Sequence, residues 1–319
     1  LYQKLVQTAL KMSLLTITDQ AKAKAVCQLC ESEQSRLAFV KNGYAHFVCR
    51  NCGSVYVHPR PSSAELLEFY RLEQGDHLSQ SCWQESHKHS WNLWKQTLQM
   101  ARSRAGLGRL LDVGCGSGEF LSFAQKMGWS DVEGIEVVPE IAEIAGQITG
   151  AKIYTTDFLQ TPLAENSYAV ITLWDVIEHL SNVPMVFERV SSLLKPGGIV
   201  IMGTVNQQGI SMRFFKGDSL TVMPPEHLTF FTSKGMRRAL RRQHFININC
   251  WSCMIYLREW TRFFARPPSN KTGDIKEYAN VRSSLTDSFL FVQLIRIANI
   301  CLKMVNLGDE LVVTAQKSK

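Results

Sequence analysis

The sequence predicts an α/β protein: an open, mostly parallel sheet with helices on both faces, preceded by a small cysteine-bound module. Three observations predict it. Residues 109–123 read as a short apolar strand, a turn punctuated by three glycines, and a helix. From there to residue 205, apolar strands alternate with helical patterns, the rhythm of parallel βαβ units. Ahead of both lie two Cys-x-x-Cys pairs.

Composition bounds the answer. A chain of 319 residues holds one large α/β domain and a small module. With 45% hydrophobic and 20% charged residues it is an ordinary globular protein, not a disordered or fibrous one. The formal charge of +7 is a mild excess whose distribution matters more than its size. Nine cysteines, an odd number with Cys-x-x-Cys spacing, favour metal ligation in a reducing compartment over a disulfide framework. Leu1 to Ile17 lack the pattern of a secretory leader, and either residues precede Leu1 or the start is Met12. No apolar run is long and charge-free enough to span a bilayer, so the expected location is the cytoplasm.

Residues 1–25 read as a weakly helical lead-in and 26–58 as the cysteine module. Cys27 and Cys30 are separated by eighteen residues from Cys49 and Cys52, a spacing that fits a four-thiolate structural Zn²⁺ site. Four thiolates leave no open position, so the ion replaces a core too small to fold alone. Between the pairs, Leu37–Val40 and Tyr44–Val48 read as a hairpin around Asn42-Gly43, and Val55–Val57 adds a strand. This module resembles a zinc ribbon. Residues 59–108 form a helical linker or cap. It contains a rigid His58-Pro59-Arg60-Pro61 exit, a helix over 64–70 capped by Ser62 or Ser63, a polar stretch over 75–85, and a helix with Trp91, Leu93, Trp94 and Leu98.

The core spans 109–205. Arg109–Val113 is a strand, and its Gly114-x-Gly116-x-Gly118 turn lets backbone lie against a ligand at a helix N-terminus. Val132–Glu136 is a second strand, and Glu136, the acid at its tip, is placed to accept from ribose hydroxyls. Pro139 opens a helix, 151–154 is a third strand, and Thr156-Asp157-Phe158 follows it. Tyr168–Leu173, continuously apolar, is a fourth strand buried on both faces. It runs into Trp174-Asp175-Val176-Ile177-Glu178-His179, beyond the strand end where substrate of an open sheet sits. A helix over 183–194 stops at Lys195-Pro196-Gly197-Gly198, and Ile199–Gly203 is the fifth strand.

The Asp112-x-Gly114-x-Gly116-x-Gly118 segment resembles motif I of the class I S-adenosylmethionine-dependent methyltransferases, and Leu-Lys-Pro-Gly-Gly before a strand is typical of the same family. The resemblance is strong over 109–205 and weaker elsewhere. It implies a Rossmann-like seven-stranded sheet whose last strand is antiparallel, with Phe245–Ile248 and Asp309–Ala315 as strands six and seven. It also implies S-adenosylmethionine as cofactor, held by Asp112, Gly114, Gly116, Gly118 and Glu136, with Asp157 and Phe158 meeting the adenine and Trp174 at the tip of strand four.

Methyl transfer is an in-line displacement, so the chain must position an acceptor and remove a proton. Two candidate bases stand out. Asp175-x-x-Glu178-His179 resembles the E-x-x-E-H segment of ubiquinone-biosynthesis O-methyltransferases, where such groups can hold a divalent cation; the alternative is a helix N-terminus that favours acids. Glu226-His227, in the long connection over 205–231, resembles the E-H-L-S-F-F segment of zinc-bearing deoxysugar C-methyltransferases, in which that His is a candidate base. Its alternative is a histidine docking the loop. A carboxylate neighbour suits an imidazole to proton transfer near neutrality.

Arg237, Arg238, Arg241 and Arg242 share a helical face, and Arg258, Arg262 and Arg266 recur every four residues among aromatics. They read as a solvated face or as a phosphate site. From Phe289 to Val305 only a stripe of Gln293, Arg296, Asn299 and Lys303 is polar, which suits burial or a homodimer contact and leaves peripheral membrane contact open. Cys250-x-x-Cys253 reads as structural. The expected acceptor is a small molecule, a sugar or polysaccharide precursor that can carry phosphate. RNA ranks below it, because the Asn/Asp-Pro-Pro-aromatic signature of base-amine enzymes is absent, and a non-catalytic S-adenosylmethionine-binding regulator ranks third.

Overall fold

A computed structural model describes residues 25–62, 65, 66, 69, 91–264, 299, 302 and 304–319. The expectations for residues 1–24, most of 63–90 and most of 265–303 lie outside the described residues.

The main sheet has seven strands. They are β4 (Leu110–Val113), β5 (Val132–Ile135), β6 (Lys152–Tyr154), β7 (Tyr168–Trp174), β8 (Leu194–Val205), β10 (Phe245–Cys253) and β11 (Glu310–Lys317), in the order β10-β11-β8-β7-β4-β5-β6. β4 pairs in parallel with β5 on one side and β7 on the other, so Asp112 sits between Gly134 and Thr172. β11 is antiparallel to both β8 and β10. The expected seven-stranded mixed sheet is therefore the observed one. β7 is buried along its whole length to Leu173, as its unbroken apolar run requires.

Helices cover both faces: α1 (Trp91–Ala105), α2 (Glu119–Lys126), α3 (Pro139–Thr149), α4 (Val183–Leu193), α5 (Ile210–Phe215), α6 (Ser233–Arg242) and α7 (Leu257–Phe264). α1 buries Trp94 edge-on against Phe120 of α2, with ring centroids 5.3 Å apart. α3 carries Pro139 in its first turn and ends on Gly150 at φ 64°. α6 is capped by Thr232, whose hydroxyl accepts from the Gly235 N–H at 3.0 Å.

Two local expectations change. Lys195-Pro196-Gly197-Gly198 does not separate helix from strand. β8 begins at Leu194, which pairs with Tyr168, and the register then jumps to Val170–Ile199, so the Pro-Gly-Gly residues form a bulge inside the strand. The Asp175–Leu180 segment is a turn, and the next helix starts at Val183, so no helix N-terminus accounts for its acids.

The N-terminal sheet holds β1 (Ser35–Lys41), β2 (Tyr44–Cys49) and β3 (Val55–Val57). Asn42 and Gly43 both have positive φ, 49° and 81°, as a tight hairpin turn demands. The small sheet does not end within residues 26–58. Its fourth strand is β9 (Thr229–Phe230), lent by the connection after β8, and Val55 pairs with Phe230 and Tyr56 with Thr229. The small sheet cannot cover its own core, and Phe230 and Phe231, both fully buried, close it.

Candidate active site

The glycine turn follows β4. Gly114, Gly116 and Gly118 all have positive φ, at 68°, 52° and 85°. Gly114 is tight: a Cβ there would lie 2.3 Å from Val176 Cγ2. Gly116 is different, because a Cβ there would meet nothing within 4 Å. The turn thus presents backbone to open space at the strand ends, the fit an S-adenosyl ligand needs. Glu136, at the tip of β5, faces this turn. Its Oε2 accepts from the Gly116 N–H at 3.1 Å and its Oε1 from the Val138 N–H at 2.9 Å. Burial raises its pKa while these two N–H groups oppose the rise.

The other cofactor candidates fall at the same edge of the sheet but face different ways. Asp112 is buried inside β4 and accepts from the Thr172 hydroxyl at 2.6 Å, so it braces β4 against β7; burial pushes its carboxyl up to about 7. Asp157 folds its own turn, accepting from the Leu159 N–H at 2.8 Å, and Phe158 is buried in the core. Trp174, at the end of β7, packs beside Trp94 and Phe120, and its buried Nε1 has no hydrogen-bond partner among the described residues.

The two candidate bases are brought together. The His179 and His227 rings meet edge-on, with centroids 4.6 Å apart and planes at 80°. Two backbone contacts hold the segments: the Glu178 carbonyl accepts from the N–H groups of Leu228 at 2.8 Å and Thr229 at 3.2 Å. His227 Nδ1 lies 2.5 Å from the Thr221 carbonyl. A carbonyl can only accept, so Nδ1 carries the proton and Nε2 keeps a lone pair. Burial drives this imidazole down to about 4. That departs from the neutral-range value the Glu226 neighbour suggests, because losing water costs the imidazolium more than its surroundings return. Glu226 is half-buried beside it.

Glu178 lies beside the two histidines, and Asp175 and Glu310 interact electrostatically with it. Burial raises the pKa of each, and their mutual repulsion adds to the rise for Glu178 and Glu310. Ligand atoms of Glu178, His179 and His227 lie within 4.8 Å of one another, and the buried Glu178 Oε2 has no partner among the described residues. The structure thus replaces Asp175 by His227 in the candidate cation group. Nothing local in the sequence marks Glu310, which arrives from the last strand.

The four cysteines converge. Cys27 and Cys52 sulfurs are 3.6 Å apart, Cys30 and Cys49 3.5 Å, and all four lie within 4.8 Å. Zn–S bonds of about 2.3 Å in a tetrahedron place sulfurs about 3.8 Å apart, so the donor set fits that ion. Cys250 and Cys253 stay apart from it, on the edge strand β10.

Three of the four arginines on the basic face of α6 make internal contacts. Arg237 donates to the Ile248 carbonyl at 2.6 Å, Arg238 to the Asn51 carbonyl at 3.3 Å, and Arg242 pairs with Glu31. Among the described residues, no helix is long and apolar enough to cross a membrane.

A glycine turn at the tip of the first parallel strand, an acid at the tip of the next and an antiparallel final strand define the class I S-adenosylmethionine-dependent methyltransferase fold. The model of the methyltransferase domain family matches residues 86–249, more than half of the chain, and the chain belongs to that family. It is similar to the ubiquinone biosynthesis O-methyltransferase of Bordetella avium, 32% identical over 115 residues, which are 33% of this chain and 46% of that enzyme. The Histophilus somni enzyme of the same name is 32% identical over 137 residues, 40% of this chain and 55% of its own. The chain spans about half the length of these curated relatives. Among solved structures, the [4+2]-cyclase SpnF aligns with a TM-score of 0.51 at 18% identity, covering 82% of this chain and 98% of that one, a likeness of fold alone.

Proposed function

We propose that this protein is a methyltransferase that moves the methyl group of S-adenosylmethionine to an oxygen or carbon of a small-molecule acceptor, with a sugar or polysaccharide precursor as the acceptor class. The observation that carries the reading is the meeting of His179 and His227 at the edge of the sheet that bears the glycine turn. Bound there, S-adenosylmethionine supplies the electrophilic methyl. Gly114, Gly116 and Gly118 shape its cradle, and Glu136 is placed to exchange its bond to the Gly116 N–H for the ribose hydroxyls. His227 Nε2 takes the acceptor proton, and the Thr221 carbonyl keeps the ring in the tautomer that can accept it. The O-methyltransferase names of the relatives support an oxygen acceptor. The engagement of Arg237, Arg238 and Arg242 in internal contacts weighs against an RNA surface on α6.

Calorimetry with S-adenosylmethionine and a mass-spectrometric screen against pooled nucleotide sugars, lipids and RNA test the reading. Glu136→Ala should weaken cofactor binding by about 1–3 kcal/mol, the loss of a charged hydrogen-bond partner. Unchanged affinity removes Glu136 from the cofactor site. Tight binding without turnover on any pool favours a regulator.

A second role for the histidine pair has its own support. The orphaned Glu178 Oε2 and the spacing of Glu178, His179 and His227 suit a divalent cation, which would lower the pKa of an acceptor hydroxyl. Titration with Mn²⁺ distinguishes this from the base reading, since the cation site needs Glu178 and the base does not.

The four-cysteine group holds a structural Zn²⁺ in this proposal. Freshly purified protein should carry one zinc per chain, and Cys49→Ser should lose it while the glycine turn still binds S-adenosylmethionine. Metal analysis that finds no zinc in the wild type refutes the assignment.

A further inference from the structure

The cysteine-bearing sheet reaches the histidine pair through specific side chains. Arg60 leaves the sheet just after β3. One arm of its guanidinium donates to the Thr229 hydroxyl at 2.6 Å. The other donates to the carbonyls of Leu180 and Ser181, each at 3.3 Å. Thr229 lies two residues after His227, and Leu180 directly follows His179. The fork therefore spans the two segments whose meeting makes the candidate site. Gln28, inside the Cys27-x-x-Cys30 loop, grips the same chain further on. Its amide donates to the Ser181 carbonyl at 3.2 Å and accepts from the Val183 N–H at 3.1 Å.

We propose that Arg60 is a positioning residue, which ties the His179 segment to the His227 segment and makes the cysteine-bearing sheet a working part of the acceptor site. The proposal rests on the methyltransferase reading for its meaning, but its geometry can be tested without an acceptor.

Three physical points carry it. First, the hydrogen-bond partners of this half-buried guanidinium are all neutral oxygens: the Thr229 hydroxyl and the Leu180 and Ser181 carbonyls. Among the described residues it has no carboxylate partner, so ion pairing does not explain its place. Second, the planar fork reaches oxygens on two segments at once, which a lysine ammonium on a flexible stem does not do as rigidly. Third, the segments it joins are irregular. Residues 175–181 form a turn, and β9 is only two residues long, so neither has a long ladder to fix it.

The test uses the full chain, labelled with ¹⁵N, and long-range proton–nitrogen spectra of the imidazoles. His179→Gln and His227→Gln assign the two rings. Edge-on packing at 4.6 Å gives each ring a mutual ring-current shift, and the Thr221 bond gives a protected Nδ1–H on His227. In Arg60→Gln both shifts should collapse and the Nδ1–H should exchange, while zinc content and S-adenosylmethionine affinity stay as in the wild type. Arg60→Lys should behave like Arg60→Gln, and added guanidinium ion should restore the shifts in Arg60→Gln. Wild-type imidazole spectra in Arg60→Gln overturn the proposal. If Arg60→Gln loses its zinc or its fold, Thr229→Val decides the question, since it removes only the shortest bond. A displaced His227 signal supports the proposal, and an unmoved one overturns it. Failure of the wild type to bind S-adenosylmethionine would instead sink the methyltransferase reading and leave the imidazole result standing.

Discussion

Replacing His227 by alanine is expected to lower kcat by about 10²–10⁴-fold with S-adenosylmethionine affinity nearly intact. The ring is held by the Thr221 carbonyl and the His179 edge, and the glycine turn proposed to cradle the cofactor follows a different strand. The pH profile carries a second, sharper expectation. Only neutral imidazole accepts a proton, and burial sets the His227 pKa near 4. If His227 is the base, it is therefore in its accepting form across the neutral range. Activity should be level there and fall only as the pH drops through about 4. A solvated histidine would give a rise near 6.5 instead. If His179→Ala is the inactive variant and His227→Ala is not, the roles are exchanged. If both keep full rate, the acceptor ionises unaided and the protein works by positioning alone.

Gly116→Val should abolish S-adenosylmethionine binding while the protein stays folded. Two effects add. A β-branched residue at φ 52° is strained by about 1–2 kcal/mol. Its side chain would also fill the open space beside the turn, where no protein atom lies within 4 Å of the added Cβ. Gly114→Val is the contrasting control. There the Cβ itself meets Val176 at 2.3 Å, so the cost should fall on the fold and appear as a lowered Tm. Calorimetry and thermal unfolding on the pair separate the two. Wild-type affinity in Gly116→Val would remove the glycine turn from the cofactor site.

Much of this was legible because it is written locally. Three glycines after an apolar strand, an acid at the tip of Val132–Ile135 and Pro139 in a first helical turn each declare themselves within a few residues. The convergence of the four cysteines is nearly as plain, since residue type and spacing both point to it. What escaped the sequence depends on distant residues. Tyr56 pairs with Thr229 through bonds that leave no periodic trace in either segment. His179 and His227 could each be picked out, but their meeting rests on contacts between distant segments, the Glu178 carbonyl with the Leu228 and Thr229 N–H groups. The pKa of His227 follows from burial, which a neighbouring Glu226 in the sequence does not reveal. The basic face of α6 shows the opposite error. A stripe of arginines looks available until Asn51, Glu31 and Ile248 are found to occupy three of them.

The two-residue strand β9 has a consequence for how the chain can be cut. A fragment that begins at Trp91 would keep every strand of the main sheet but lose β3. Leu228, Phe230 and Phe231, each fully buried in the whole protein, would lose the wall built by Val55, Tyr56 and Val57. The backbone of Thr229 and Phe230 would become an open strand edge flanked by large apolar side chains, which is a template for self-association. The small sheet therefore continues past residue 58 through β9. Trimming, domain exchange or fusion at that point removes the partner of β9, so a piece that keeps the small sheet whole must carry β1 to β3 together with β9.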